Sequence, residues 1–387
     1  MQKKSLNRLK DEKDLPVIFA ISGDPGGARA LAPVVRRLRG NGRVRVMALA
    51  YREAISVWSR YGLEFDEIDA STSFERLNES FVNACPKMLL CSTSVNGIDF
   101  ERKLTLTARN AGIPSLAVLD FWTNYCTRFI DENGGLSAIP DKIAVMDERA
   151  VSEMVSVGFE KDSLVVVGQP ALDDILETSD KFTPTHKAKV RNTFGISSSD
   201  HMILFVSEPV AQFNGADETN PAYLGFTEYT VLDLLISTLE EIRTETMRPV
   251  LVVKPHPREF SDAFSNLKFS SVKTIVNRDI PSRELVMAAD LVVGMSSMLL
   301  VESCHLGQPT LRIQPGLIGP DALPVDLADN CTSIYKASEA KGAIEKVLSP
   351  EHGPFNTRDI NAEKQRSAAG NIEKYIYQML SECLYLL

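Results

Sequence analysis

Residues 16–38 read PVIFAISGDPGGARALAPVVRRL, and this stretch decides the fold class. Residues 16–21 (PVIFAI) form an apolar run of strand length. Ser22-Gly23-Asp24-Pro25-Gly26-Gly27 is a glycine-rich turn, and residues 28–38 space Leu31, Val34, Val35 and Leu38 as one helical face. Strand, glycine turn and helix open an α/β unit. The same alternation continues outward. Strands are expected at 43–50, 87–91, 113–119, 142–146 and 163–167, with helices at 53–61 and 100–111. Alternation at this pace implies a parallel sheet covered by helices on both faces.

The pattern pauses at residues 178–199, which are polar and punctuated by Pro184, as a linker or short helix between domains would be. It restarts at 201–207 (HMILFVS). A helix is expected over 229–245, then strands at 249–254, 273–276, 290–294 and 309–313, with helices at 284–289 and 297–306. Ile372, Tyr375, Ile376, Met379 and Leu380 make one apolar face of a terminal helix. The expectation is an α/β protein of two doubly wound domains facing a cleft. An amino-terminal domain spans 1–177 and a second spans 200–350, with segment 351–387 packing back on the first. Such sheets bind ligands at the carboxyl ends of their strands.

Composition narrows the function. The chain has 387 residues, enough for two domains, and 42 Lys+Arg against 51 Asp+Glu leave a net charge of −9, which argues against a nucleic-acid partner. No run reaches the roughly 18 apolar residues that a membrane span needs. A peripheral membrane contact through a local basic patch stays open. The start, MQKKSLNRLKDEKD, lacks the apolar core of a secretory signal, so a cytoplasmic location is expected. Six scattered cysteines without a CxxC pair and five histidines without metal spacing predict no disulfide framework, no metal site and no cofactor.

Three segments carry chemistry. In the first, Gly23, Gly26 and Gly27 let the backbone approach a ligand, and the helix start offers N–H groups to an anion or hydroxyl; a ligand-free tight turn is the alternative. It is neither a P-loop nor GxGxxG. In the second, Lys254-Pro255-His256-Pro257-Arg258, two prolines hold the imidazole between cations that suit phosphate. In the third, Ser296 and Ser297 open a helix carrying Glu302. Their hydroxyls and N–H groups suit a phosphate, with Glu302 toward a ribose; an ordinary N-cap and a solvated Glu302 are the alternative.

KPHP followed by GMSSMLLVES…LGQP resembles the nucleotide-binding half of GT-B-fold glycosyltransferases, over residues 250–312. The His-Pro and Ser-Ser pairing is similar to bacterial sialyltransferases, capsule Kdo transferases and CDP-glycerol polymerases. The overall layout and the SGDPGG turn also resemble UDP-GlcNAc 2-epimerases. The resemblance implies two Rossmann-like domains, with His256, Ser296 and Ser297 on donor phosphates and Glu302 on the ribose. Asp131-Glu132-Asn133-Gly134 approaches the sialyltransferase acidic motif with one residue inserted.

A general base is sought in the amino-terminal half. Asp120 ends the run IPSLAVLD and should project from a strand's carboxyl edge, beside Phe121, Trp122, Asn124 and Tyr125, which suit a sugar. The alternative is a turn cap at Asp120 and a core position for Trp122. Asp24 is the second base candidate. Glu208, ending the run MILFVSE, is a further contact for donor or acceptor. The leading expectation is a glycosyltransferase moving a sugar from a UDP-, CMP- or CDP-linked donor to a glycan acceptor. A 2-epimerase or hydrolase acting on the donor alone, or a non-catalytic binder, competes with it. Oligomeric state is not legible.

Overall fold

The computed structural model describes residues 15–95, 97–130, 134–175, 182–265, 270–324, 331–349 and 367–385. They form two compact units. The first takes the described residues up to Asp173 and those after 362, and the second those from Asp174 to 349.

In the first unit the glycine turn joins β1 (Val17–Ser22) to α1 (Pro25–Gly40). Then follow β2 (Arg45–Ala50), α2 (Glu53–Arg60), β3 (Asp66–Glu67), α3 (Phe74–Asn83), β4 (Met88–Ser92) and α4 (Phe100–Asn110). The series ends with β5 (Ser115–Val118), β6 (Lys142–Val145), α5 (Glu148–Ser156) and β7 (Leu164–Val166). Every strand pair is parallel, in the order β3-β2-β1-β4-β5-β6-β7, with Ile18 beside both Val46 and Met88. All six residues of β1 are buried, as a central strand covered on both faces requires.

Leu31, Val34, Val35 and Leu38 of α1 are buried together with Ile372, Ile376, Met379 and Leu380 of the last helix, here α12 (Ala368–Tyr385). Each such side chain contributes about 1.5–3 kcal/mol. Polar anchors fix the docking. Asp173 accepts from the Ala368 and Ala369 N–H groups at 2.9 and 2.8 Å, placing an anion at the amino terminus of α12. Glu373 accepts from Arg37 at 2.6 Å.

The second unit begins with α6 (Pro184–Thr193), within the stretch expected as a linker or short helix. Thr183 caps it, and buried Arg191 pairs with Asp290 at 2.7 Å and donates to the Asp200 carbonyl at 2.6 Å. These bonds make α6 an integral part of this unit. Residues 178–181 lie outside the described residues. Next come β8 (His201–Val206), α7 (Val210–Asn214), α8 (Glu228–Ile242), β9 (Pro249–Lys254), β10 (Lys273–Val276), α9 (Ser282–Ala288) and β11 (Leu291–Gly294). Then follow α10 (Met298–His305), β12 (Thr310–Ile313), β13 (Cys331–Ile334) and α11 (Ala340–Leu348). This sheet is also parallel, in the order β10-β9-β8-β11-β12-β13. Val231, Leu232, Leu235 and Leu239 of α8 and Ile344 of α11 fill its core. No described helix is long and apolar enough to cross a membrane.

Candidate functional site

Each sheet grows in two directions from its first strand. In the first unit the chain runs outward from β1 to β2 and β3, then returns to set β4 on the other side of β1. In the second it runs from β8 to β9 and β10, then returns to set β11 beside β8. At such a reversal the loops leave in opposite directions and open a crevice at the carboxyl ends of the strands. The polar residues of each unit gather at this point.

In the first unit, β1 ends in Ser22, whose hydroxyl meets that of Ser92 at the end of β4 at 2.9 Å. Behind them lies Glu101, on the inward stripe of α4 with Leu104, Thr105 and Ala108. Its carboxylate accepts from the Tyr51 hydroxyl at 2.6 Å, Ser94 at 2.8 Å and Ser92 at 3.4 Å. Burial pushes the Glu101 carboxyl up to about 7, against the pull of the hydroxyls and with a further push from Asp24. Asp24 precedes α1 but does not cap it; its Oδ2 accepts from the Val95 N–H at 3.0 Å, tying the glycine turn to the loop after β4.

Asp120 stands just past β5. Its Oδ1 accepts from Arg128 at 2.6 Å and from the Thr93 hydroxyl at 3.1 Å, while Gln169 holds its carbonyl at 2.8 Å. Its Oδ2 lies where a Cβ on Gly26 would fall. A Cβ on Gly23 would overlap the Tyr51 ring, and one on Gly27 would approach Ser92 Cβ to 2.6 Å. The three glycines thus allow the turn to lie flat against the groups that surround Asp120 and Glu101.

Gly23, Asp24, Gly26, Gly27 and Asp120 therefore share one edge. Trp122 is placed differently: it is buried, and its indole N–H donates at 2.7 Å to Asp147, the cap of α5. The Tyr125 hydroxyl donates to Glu153 at 2.6 Å. Asp131, Glu132 and Asn133 lie outside the described residues. A cavity of about 730 Å³ lies elsewhere in this unit, between β2, β3 and α3, lined by Arg45, Met47, Asp66, Asp69 and Arg76 among others.

In the second unit, Glu208 follows β8 and Ser296 follows β11. The Ser296 N–H and hydroxyl both donate to the Glu208 carboxylate, at 2.7 and 3.1 Å. Burial pushes Glu208 up to about 7; the Ser296 bonds oppose that, Glu259 reinforces it and Arg312 opposes it. Glu259 accepts from the Ser207 hydroxyl at 2.6 Å and from the His256 N–H, and burial raises its pKa as well. His256 Nδ1 accepts from the Arg258 N–H at 3.1 Å. The neutral ring's proton then sits on Nε2, where it can donate to an anion.

The other expected donor residues make different bonds. Ser297 caps α10 through the Leu299 N–H at 3.2 Å. Lys254 donates to the Arg278 and Ile280 carbonyls at 2.7 and 2.8 Å, bracing the loop after β10. Glu302 is buried against Arg283 at 2.6 Å, and Arg283 also holds Asp174 at 2.8 Å.

Sequence reasoning did not mark Glu101, Arg128, Thr93, Glu259 or Arg283. Only Glu101 left a signal, since it falls on the apolar helical stripe at 101, 104 and 108. Among the described residues no group of three or more His, Cys, Asp or Glu is placed to hold a metal ion.

No protein-family model and no curated protein matches the chain. Solved structures do. UDP-GlcNAc 2-epimerase from Neisseria meningitidis bound to UDP-GlcNAc is 14% identical with a TM-score of 0.63, over 95% of this chain and 100% of that one. The enzyme of the same name from Methanocaldococcus jannaschii is 14% identical with a TM-score of 0.64, over 94% and 99%. Anabaena HepE in complex with UDP and glucose is 13% identical with a TM-score of 0.59, over 96% and 100%. These structures support the epimerase-like layout and not the sialyltransferase-like or Kdo-transferase-like motifs. What the chain shares with them is the fold, two parallel sheets with interleaved helices in the Rossmann-like, GT-B-like arrangement.

Proposed function

We propose that this protein is a nucleotide-sugar-processing enzyme that acts on its donor alone, as a UDP-GlcNAc 2-epimerase-like epimerase or hydrolase. The observation that carries this reading is likeness of fold over 94–96% of the chain to proteins whose structures hold UDP-GlcNAc, UDP or UDP-glucose. Polar residues at both sheet-reversal points accompany it.

In this reading the second unit binds the nucleotide. Ser296, His256 Nε2 and the amino terminus of α10 receive phosphate oxygens. The first unit supplies proton transfer. Inverting a carbon next to the anomeric centre requires a base to take its proton and an acid to return one on the other face. Asp120, oriented by Arg128, Thr93 and Gln169, is the proposed catalytic carboxylate, with Asp24 beside the same turn. Glu101, near 7 and linked to the edge through the Ser92 and Ser94 hydroxyls, is a positioning residue that sets the charge behind them.

Glycosyl transfer to a glycan is the second reading, favoured by the KPHP and GMSS segments. Incubation with UDP-GlcNAc in D₂O, followed by ³¹P and ¹H NMR, separates the two. Release of UDP or formation of a C2-deuterated epimer without any acceptor supports the first, and Asp120→Asn should abolish it. Binding of UDP-GlcNAc without turnover until a glycan is added would replace it with the second.

A further inference from the structure

The donors assigned to phosphate are already engaged by an anion. Both the N–H and the hydroxyl of Ser296 bind the Glu208 carboxylate, which lies at the amino terminus of α10 as a bound phosphate oxygen would. We propose that a nucleoside diphosphate and the Glu208 carboxylate compete for Ser296, so that binding the nucleotide drives uptake of one proton by Glu208. This rests on the reading that Ser296 belongs to the nucleotide site.

The surroundings favour this outcome over retention of two anions. Ser296 faces Glu208 from the β11–α10 loop, Glu259 acts on it from the loop after β9, and Arg312 from β12. Glu259 is itself engaged by Ser207 and His256, so it offers no hydrogen-bond donor to a displaced carboxylate. Arg312 is wholly buried, and both of its terminal nitrogens are committed to Asp321, Ser333 and the Pro324 carbonyl, so only its Nε lacks a partner among the described residues and the guanidinium is held in place away from a second anion. A phosphate that takes over the Ser296 donors leaves Glu208 buried without hydrogen-bond donors, and neutralisation is the cheap response of a buried carboxyl. The proton comes from solvent. No bond other than O–H is made.

The test is calorimetric titration with UDP from pH 6 to 8.5, in buffers of differing ionisation enthalpy. Wild-type protein should take up close to one proton per UDP at pH 8, and its affinity should fall about tenfold per pH unit above 7. Glu208→Gln cannot ionise; it should take up no proton, lose the slope and bind UDP at least about tenfold more tightly than wild type at pH 8.5. Glu208→Ala replaces it if the glutamine variant fails to fold. A slope that survives in Glu208→Gln but vanishes in His256→Asn would assign the proton to His256 and overturn the proposal. UDP binding by the wild type with no proton uptake would overturn it while leaving the nucleotide site standing. Absence of UDP binding in wild type and variant at every pH would remove the nucleotide reading itself, and this proposal with it.

Discussion

Gly26 and Asp120 share one space: a Cβ on the glycine would fall on the Oδ2 of the carboxylate. The turn after β1 therefore closes over Asp120 only because position 26 has no side chain. Gly26→Ala must push Asp120 off Arg128 or lift the start of α1. The expected cost is about 1–3 kcal/mol of stability, with turnover reduced by about tenfold or more through misplacement of the carboxylate. Thermal unfolding and donor turnover, measured on the same preparation, check both effects.

Arg128 and Asp120 form a pair with little exposure, 5% and 13% for the two side chains. Arg128→Met strands the carboxylate and should destabilise by about 3 kcal/mol or more. Adding Asp120→Asn removes that stranded charge. The double variant should recover much of the stability and none of the activity, which a double-mutant cycle by chemical denaturation would reveal.

Glu101 predicts the sign of a pH effect. Its carboxyl is near 7 when folded against a reference of 4.5, so the folded state holds the proton more tightly. Its stabilising contribution is full below about 4.5 and is lost as pH rises through 7. The whole difference is at most of order 3 kcal/mol. The unfolding temperature of Glu101→Gln should therefore fall less than that of wild type between pH 4.5 and 7. Parallel slopes for the two proteins would refute the assignment.

Glu302 depends on Arg283, which bridges it to Asp174. With Glu302 buried, Arg283→Ala removes the cation paired with its carboxylate and should cost on the order of 3 kcal/mol. This loss should appear in thermal unfolding without any nucleotide, which separates the ion pair's structural part from contact with a ribose.

Cys304 and Cys331 are hydrogen-bonded neighbours. The bond from Cys304 lowers the Cys331 pKa, while the same bond and burial raise that of Cys304. Cys331 is half-buried and Cys304 is fully buried. Iodoacetamide at pH 8 should alkylate Cys331 well before Cys304. Peptide mass mapping over time would show the order.

Alternating apolar runs and helical stripes determined the α/β class, most strands and the inward face of α12. Burial of apolar surface depends on local periodicity, which a single segment carries. Where few side chains turn inward the signal failed: α3 buries only Leu77 and Phe81, and β3 is two exposed residues long. Tertiary structure alone decided the polar sites. Glu101 meets Tyr51, Asp120 meets Thr93, and Glu208 meets Ser296 because the parallel sheets bring together strand ends and helix starts 27 to 88 residues apart, while Arg128 folds back on Asp120 within one loop. It also decided that Trp122 caps off into Asp147, and that Lys254 and Glu302 spend their charges on local partners. A hydrogen bond is directional and reaches about 3 Å. Its partner is set by where the strands end in space, which no periodicity along the chain records.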